Sequence, residues 1–140
     1  YQILNILQMD CRTTLKHIGD QVGLTAPAVS ERVRRMEEKG VIRNFRIEVD
    51  RERLDCSMTG FIFVAVEPEK YSTFCDFCQK TPAIVSHYHV IGVFNALLRF
   101  AVRGTRELDE FLSSIKRYGD SQTSVELKTY FETKGIPLPD

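Results

Sequence analysis

The sequence predicts an α+β chain in two parts. The first is an N-terminal winged helix-turn-helix domain over residues 1–50, and the second a C-terminal ferredoxin-like βαββαβ domain over 59–140. Three observations carry that prediction. Residues 15–40 read as two amphipathic helices separated by Gly23, the second opened by Thr25 and Pro27 and closed by Gly40. From residue 59 onward, the segments read in the order strand, helix, strand, strand, helix, strand. The polar stretch DRERLDCS at 50–57 separates the two patterns and places a linker at 51–58.

The elements follow in order. Ile3, Leu4 and Leu7 are at helical spacing and predict a first helix over 1–9. Its pattern is already running at Tyr1, as expected if native residues precede it. DCRT at 10–13 breaks it. Thr14 caps a second helix, LKHIGDQV at 15–22, with Leu15, Ile18 and Val22 facing inward, and Gly23 suits a left-handed turn position. In the third helix, at about 100° per residue, Val29, Val33 and Met36 share one sector and pack on the first two helices. The opposite sector holds Pro27, Glu31, Arg34 and Glu38, with Ala28 and Arg35 beside it and Ser30 and Arg32 at its edges. VIRNFRIEV at 41–49 alternates through Phe45, Ile47 and Val49, which predicts a strand or short hairpin packed beside the helices as a wing.

In the second half, strands are expected at 59–67, 84–91, 96–102 and 123–131. Helices are expected at 69–80, introduced by Pro68, and at 106–118, capped by Thr105 and ended by Gly119. GVFN at 92–95 is the turn between the middle strands. FIFVAV at 61–66, ALLRFAV at 96–102 and VELKTYF at 125–131 are apolar on both sides. A sheet with both helices on one face would leave the other as an apolar patch. A second copy of the chain is expected to cover it.

Composition narrows the function. An apolar content of 43% in 140 residues supports a real core. Nineteen basic residues balance nineteen acidic ones, so a nucleic-acid partner has to be argued from local charge. No apolar run is long enough to span a bilayer, and no secretory leader is recognisable. Cysteines 11, 56, 75 and 78 show no disulfide framework, which points to a reducing cytoplasm. Cys75 and Cys78 form a lone CxxC without the second pair that zinc needs, and are expected as buried small side chains. His87 and His89 alternate along a strand and so point the same way, toward a polar sheet face or a subunit contact. No catalytic residue, metal or cofactor is expected.

The third helix carries the functional signal. Small residues near its N-terminus allow close approach to bases, and arginines further on reach guanine edges or phosphates. Its first-turn amides, capped by Thr25, favour a phosphate. The DNA-contact residues expected are Thr25, Pro27, Ala28, Ser30, Glu31, Arg32, Arg34 and Arg35, with Arg43 and Arg46 on backbone phosphates. The alternative is a solvated face with an ordinary pair between Glu31 and Arg35.

These residues resemble the Lrp/AsnC, or feast/famine, transcription regulators. The similarity rests on Gly23, Leu24, Thr25, Val29, Arg32, Val33, Met36, Glu37, Gly40, Val41 and Ile42, and it extends through the βαββαβ half. The resemblance implies a regulator that binds double-stranded DNA. It also implies sheet-to-sheet homodimers assembling into tetramers or octamers, and an amino-acid effector held by the C-terminal domain. The family's Gly-x-x-Asp loop matches Gly92 to Asn95, with Asn where Asp is usual, and its paired hydroxyls match Ser121 and Thr123. Because a neutral Asn supplies no charge for a ligand ammonium group, a different effector, or an effector-independent DNA-architectural protein, is the alternative. VSHYHVIGVFN at 85–95 is also similar to a stretch of sirohaem decarboxylases, which makes a tetrapyrrole-acting enzyme on the same scaffold a further alternative, although the basic and Trp positions expected around that stretch are lacking.

Overall fold

The computed structural model describes residues 1–139, with the side chain of Glu52 left aside. The chain divides into two compact units: Tyr1–Glu48 together with the residues from Tyr130 onward, and Val49–Thr129.

The first unit is helical, with α1 at Gln2–Met9, α2 at Leu15–Val22 and α3 at Ala26–Glu38. Thr14 caps α2 by accepting from the amide of His17, and Thr25 caps α3 by accepting from that of Ala28 at 3.4 Å. Ile3, Ile18 and Val29 form the buried centre, surrounded by Ile6, Leu7, Val22, Leu24, Val33 and Met36. Two expectations shift: Ile6 rather than Leu4 joins this cluster, and Leu15 is 40% exposed at the start of α2. The turn between α2 and α3 depends on two glycines. Gly23 adopts φ 70°, and a Cβ at Gly19 would sit 2.4 Å from the Leu24 carbonyl oxygen, which only a bare glycine tolerates. The end of α3 is closed by the amides of Val41 and Ile42, which both donate to the Met36 carbonyl.

The wing expected at 41–49 does not form: residues 43–50 have no regular structure, and Ile47 is 81% exposed. Alternation alone does not make a strand. An isolated segment with no partner leaves its amides to water rather than to a ladder. The C-terminal residues, expected with the second domain, pack in the helical unit instead. Gln8 accepts from the Ile136 amide at 2.6 Å and donates to the Ile136 carbonyl at 3.2 Å.

The second unit holds β1 at Met58–Val66, α4 at Tyr71–Lys80, β2 at Ile84–His89, β3 at Ala96–Val102, α5 at Thr105–Ile115 and β4 at Gly119–Val125. The sheet order is β2-β3-β1-β4 with every neighbouring pair antiparallel, the ferredoxin-like arrangement expected from βαββαβ. Strict alternation puts Ile62, Val64 and Val66 of β1 and Leu98, Phe100 and Val102 of β3 on the face covered by Phe74 and Cys78 of α4 and Phe111 and Ile115 of α5.

Three details differ from expectation. The last strand lies at 119–125, not 123–131. Its polar residues form an edge strand fixed by pairing with β1 (Ser121 opposite Val64), while Leu127, Tyr130 and Phe131 lie beyond it and are exposed. Thr105 begins α5 rather than capping it, and the side chain of Glu107 reaches back to the Arg103 amide at 2.7 Å. Gly119 opens β4 where a Cβ would collide with the Ala65 carbonyl oxygen at 1.9 Å.

The uncovered face of the sheet carries Phe61, Phe63, Leu97 and Ala101, with Tyr88 at the β2 edge. Arg99 lies among them. It pairs with Glu126 at 3.3 Å and passes over the Phe61 ring at 5.7 Å.

Candidate nucleic-acid interface and effector region

α3 presents the surface that the sequence singled out. Its stripe of Val29, Val33 and Met36 faces the helical core, leaving Pro27, Ser30, Arg32, Arg34 and Arg35 exposed, with Ala28 and Glu31 partly covered. Thr25 is exposed at its capped N-terminus. Arg32 and Arg35 border an open cleft of about 610 Å³ floored by Ile3, Val22, Leu24 and Met36. Arg43 and Arg46 are exposed on the irregular segment after the helix.

The arginines of α3 are tied to its carboxylates. Arg34 donates through Nε and Nη2 to the two oxygens of Glu31, at 3.0 and 2.8 Å, and pairs with Glu38 through Nη1. Arg35 donates through Nε to Glu31 at 3.0 Å. Hydrogen bonds from Arg34 and then Arg35 hold the Glu31 carboxyl below the usual carboxylate range, and Glu31 in turn raises the Arg34 guanidinium. The pair between Glu31 and Arg35 was anticipated from its spacing. The bidentate clasp on Arg34 was missed, although spacings of three and four residues signal it.

In the sheet unit, Asn95 and Ser121 come to one end of the sheet with β1 between them, about 10 Å apart by strand spacing. Thr123 lies two residues further along β4, and Gly92 sits in the exposed turn with φ 153°. The side chain of Asn95 continues the β1 ladder: Oδ1 accepts from the Val66 amide at 2.8 Å and Nδ2 donates to the Val66 carbonyl at 2.9 Å. A carboxylate there could accept the first bond but not donate the second.

His87 and His89 pair across from Leu98 and Ala96 and so face α4. His89 lies 4.6 Å from the Tyr71 ring and His87 meets Phe74 edge-on at 5.3 Å, so both imidazoles are part of aromatic packing. Burial, then the charge of His89, holds His87 below the ordinary histidine value. Cys78 is buried in the sheet core, where burial pushes its thiol up to about 12, and Cys75 is partly covered. Among the described residues, no group of three or more His, Cys, Asp or Glu side chains is placed to hold a metal ion. No helix among them is long and apolar enough to cross a membrane.

A helix-turn-helix with an exposed, arginine-bearing second helix, continuous in sequence with an open-faced ferredoxin-like sheet, defines a two-domain DNA-binding regulator. Residues 1–37 match the AsnC-type helix-turn-helix domain, and residues 59–136 match the Lrp/AsnC ligand binding domain. The chain belongs to the Lrp/AsnC family and is a DNA-binding transcription regulator. Among its relatives is the HTH-type transcriptional regulator FL11 of Pyrococcus horikoshii, 34% identical over 98% of this chain and 93% of that one. LrpB of Bacillus subtilis is 28% identical over 91% of this chain and 86% of its own. Solved structures agree in fold. B. subtilis LrpC superimposes with a TM-score of 0.86 at 26% identity, covering 94% of each chain. NMB0573 of Neisseria meningitidis, solved with L-Met, superimposes with a TM-score of 0.89 at 22% identity, covering 97% of this chain and 92% of that one.

Proposed function

We propose that α3 is the DNA-reading helix. Its first turn, with Thr25, Pro27, Ala28 and Ser30, approaches the major groove, Glu31 contacts base edges, and Arg32, Arg34 and Arg35 contact base edges or phosphates. Arg43 and Arg46 contact the backbone beyond it. The observation that carries this reading is the exposed outer face of α3, small at its capped N-terminus and arginine-rich toward its C-terminus. Replacing Arg34 or Arg35 by Ala should weaken binding to a duplex enriched by the wild-type protein by about 10- to 100-fold, or about 1–3 kcal/mol. Unchanged affinity in both variants would sink the assignment.

The regulator responds to a small metabolite, an amino acid first among candidates, bound near Gly92, Asn95, Ser121 and Thr123. The match to a ligand binding domain supports this, as does the solved L-Met complex of the Neisseria relative. The sheet face bearing Phe61, Phe63 and Leu97 pairs with a second copy, and dimers assemble further into tetramers or octamers. The protein works without catalysis, in the cytoplasm, as the regulator names of its relatives suggest. A calorimetric and thermal-shift screen against the twenty amino acids tests the effector. A hit that disappears on substituting Gly92 or Thr123 places it in this domain. The engagement of the Asn95 amide with Val66 favours one second reading, an effector-independent architectural protein, which predicts silence across the screen and little sequence preference.

A further inference from the structure

We infer that Glu31 is a specificity-determining residue: by clasping Arg34 and Arg35 it discriminates against DNA that offers only phosphates. The inference rests on the groove placement of α3 proposed above.

Both oxygens of Glu31 are occupied, one by Arg34 Nε at 3.0 Å, the other by Arg34 Nη2 at 2.8 Å and Arg35 Nε at 3.0 Å. Glu38 takes the remaining Nη1 of Arg34. α3 carries three arginines and three glutamates from Ala26 to Glu38, so the helix has no net charge to attract a polyanion. The clasp lies in solvent: the side chain of Arg34 is 57% exposed and that of Glu31 43% exposed. Exposed ion pairs of this kind add little to stability. Their consequence is felt at a DNA surface.

Arg35 holds Glu31 through Nε alone and keeps its Nη groups for a phosphate, but Arg34, with Nε and Nη2 on Glu31 and Nη1 on Glu38, must leave Glu31 to turn its fork on one, and the carboxylate is then left with Arg35 alone beside a second anion. Against a G·C pair the exchange balances. The fork of Arg34 finds two acceptors on guanine, and the released carboxylate accepts from the cytosine amino group. The clasp therefore opens at low cost only where a base pair supplies both partners. The lowered titration range of the Glu31 carboxyl keeps it charged throughout.

The test uses the full chain and two probes, a 30-bp duplex of randomised sequence and the duplex the wild-type protein enriches from a random pool, titrated from 50 mM to 1 M KCl. Each arginine freed for a phosphate steepens the salt slope by about 0.9, roughly 15-fold in affinity across that range. Glu31→Gln should bind the randomised duplex roughly 10-fold more tightly at 50 mM, with a slope steeper by about one contact. Its preference for the enriched duplex should collapse. Glu31→Asp, which keeps the charge but is too short to span both arginines, should move the same way. Glu37→Gln removes one charge from the same helix and serves as the control for charge alone. Equal effects of Glu37→Gln and Glu31→Gln overturn the inference, as does an unchanged Glu31→Gln while Arg34→Ala and Arg35→Ala lose binding. If the arginine variants bind both probes like wild type, the groove placement of α3 fails, and the inference falls with it. Helical circular dichroism of each variant confirms that α3 is folded.

Discussion

Among the described residues, the helical unit closes its core with three buried side chains, Ile3, Ile18 and Val29, whereas the sheet unit buries twelve between its strands and α4 and α5. The same contrast runs through their ion pairs. Arg34 of α3 is 57% exposed beside Glu31, while Arg99 of the sheet is 17% exposed beside Glu126, which is itself 13% exposed. One guanidinium is placed to change partners and the other to keep the one it has. The helical unit is shallow, held by caps and a tight turn, and carries its chemistry outside. The sheet unit is deep, and its exposed apolar face invites another protein surface.

Four substitutions would break or sharpen this contrast. Phe74→Ala empties the centre of the sheet core, where the ring is fully buried against Phe77, Tyr118 and His87, and should cost about 3–5 kcal/mol in urea unfolding. Hydrogen exchange should show lost protection in β1 and β3. Equal loss in α2 and α3 would mean that the two cores are not separate. Val29→Ala removes a fully buried side chain from the shallow core and should cost about 2 kcal/mol, read as faster exchange in α2 and α3 with β1 unchanged. Thr25→Ala deletes the cap of α3 at about 1 kcal/mol, enough to fray its first turn, and should lower DNA affinity before it lowers the melting temperature of the sheet.

The smallest effect expected is a pH dependence. The fold holds His87 below its ordinary value of 6.5, so the unfolded chain protonates first as the pH drops. The contribution of His87 to stability is therefore level above pH 6.5 and declines below it until the folded imidazole itself takes up a proton. His87→Gln should flatten that decline. If the acid limb of the sheet's melting curve is unaltered, His87 is not its source.

The sequence was legible where one local signal decides the structure. Thr25, Pro27 and Gly40 delimit α3 to within a residue or two, because caps and breakers act on their own neighbours. Short, nearly continuous apolar runs placed β1 and β3, while the alternation of burial along them belongs to the folded sheet, whose helices cover one face. It was illegible where a distant partner decides. Gly119 to Val125 is mostly polar and becomes a strand only because β1 offers an edge, while Phe45, Ile47 and Val49 alternate and form none for lack of one. The family resemblance of the loop from Gly92 to Asn95 makes Asn95 a ligand contact, and nothing nearby in sequence announces its pairing with Val66, 29 residues away. The exposed outer face of α3 was legible from its helical period, but the clasp of Glu31 on Arg34 was not, because only the four-residue spacing from Glu31 to Arg35 was weighed.

The two hydrogen bonds between Gln8 and Ile136 also set an order of events during synthesis. A ribosome makes α1, α2 and α3 first, then the whole sheet, and only afterwards the residues that dock on α1. The helical unit, begun before the sheet, is thus finished after it, and a nascent chain stalled anywhere in the sheet displays α3 on a scaffold that still lacks this strap.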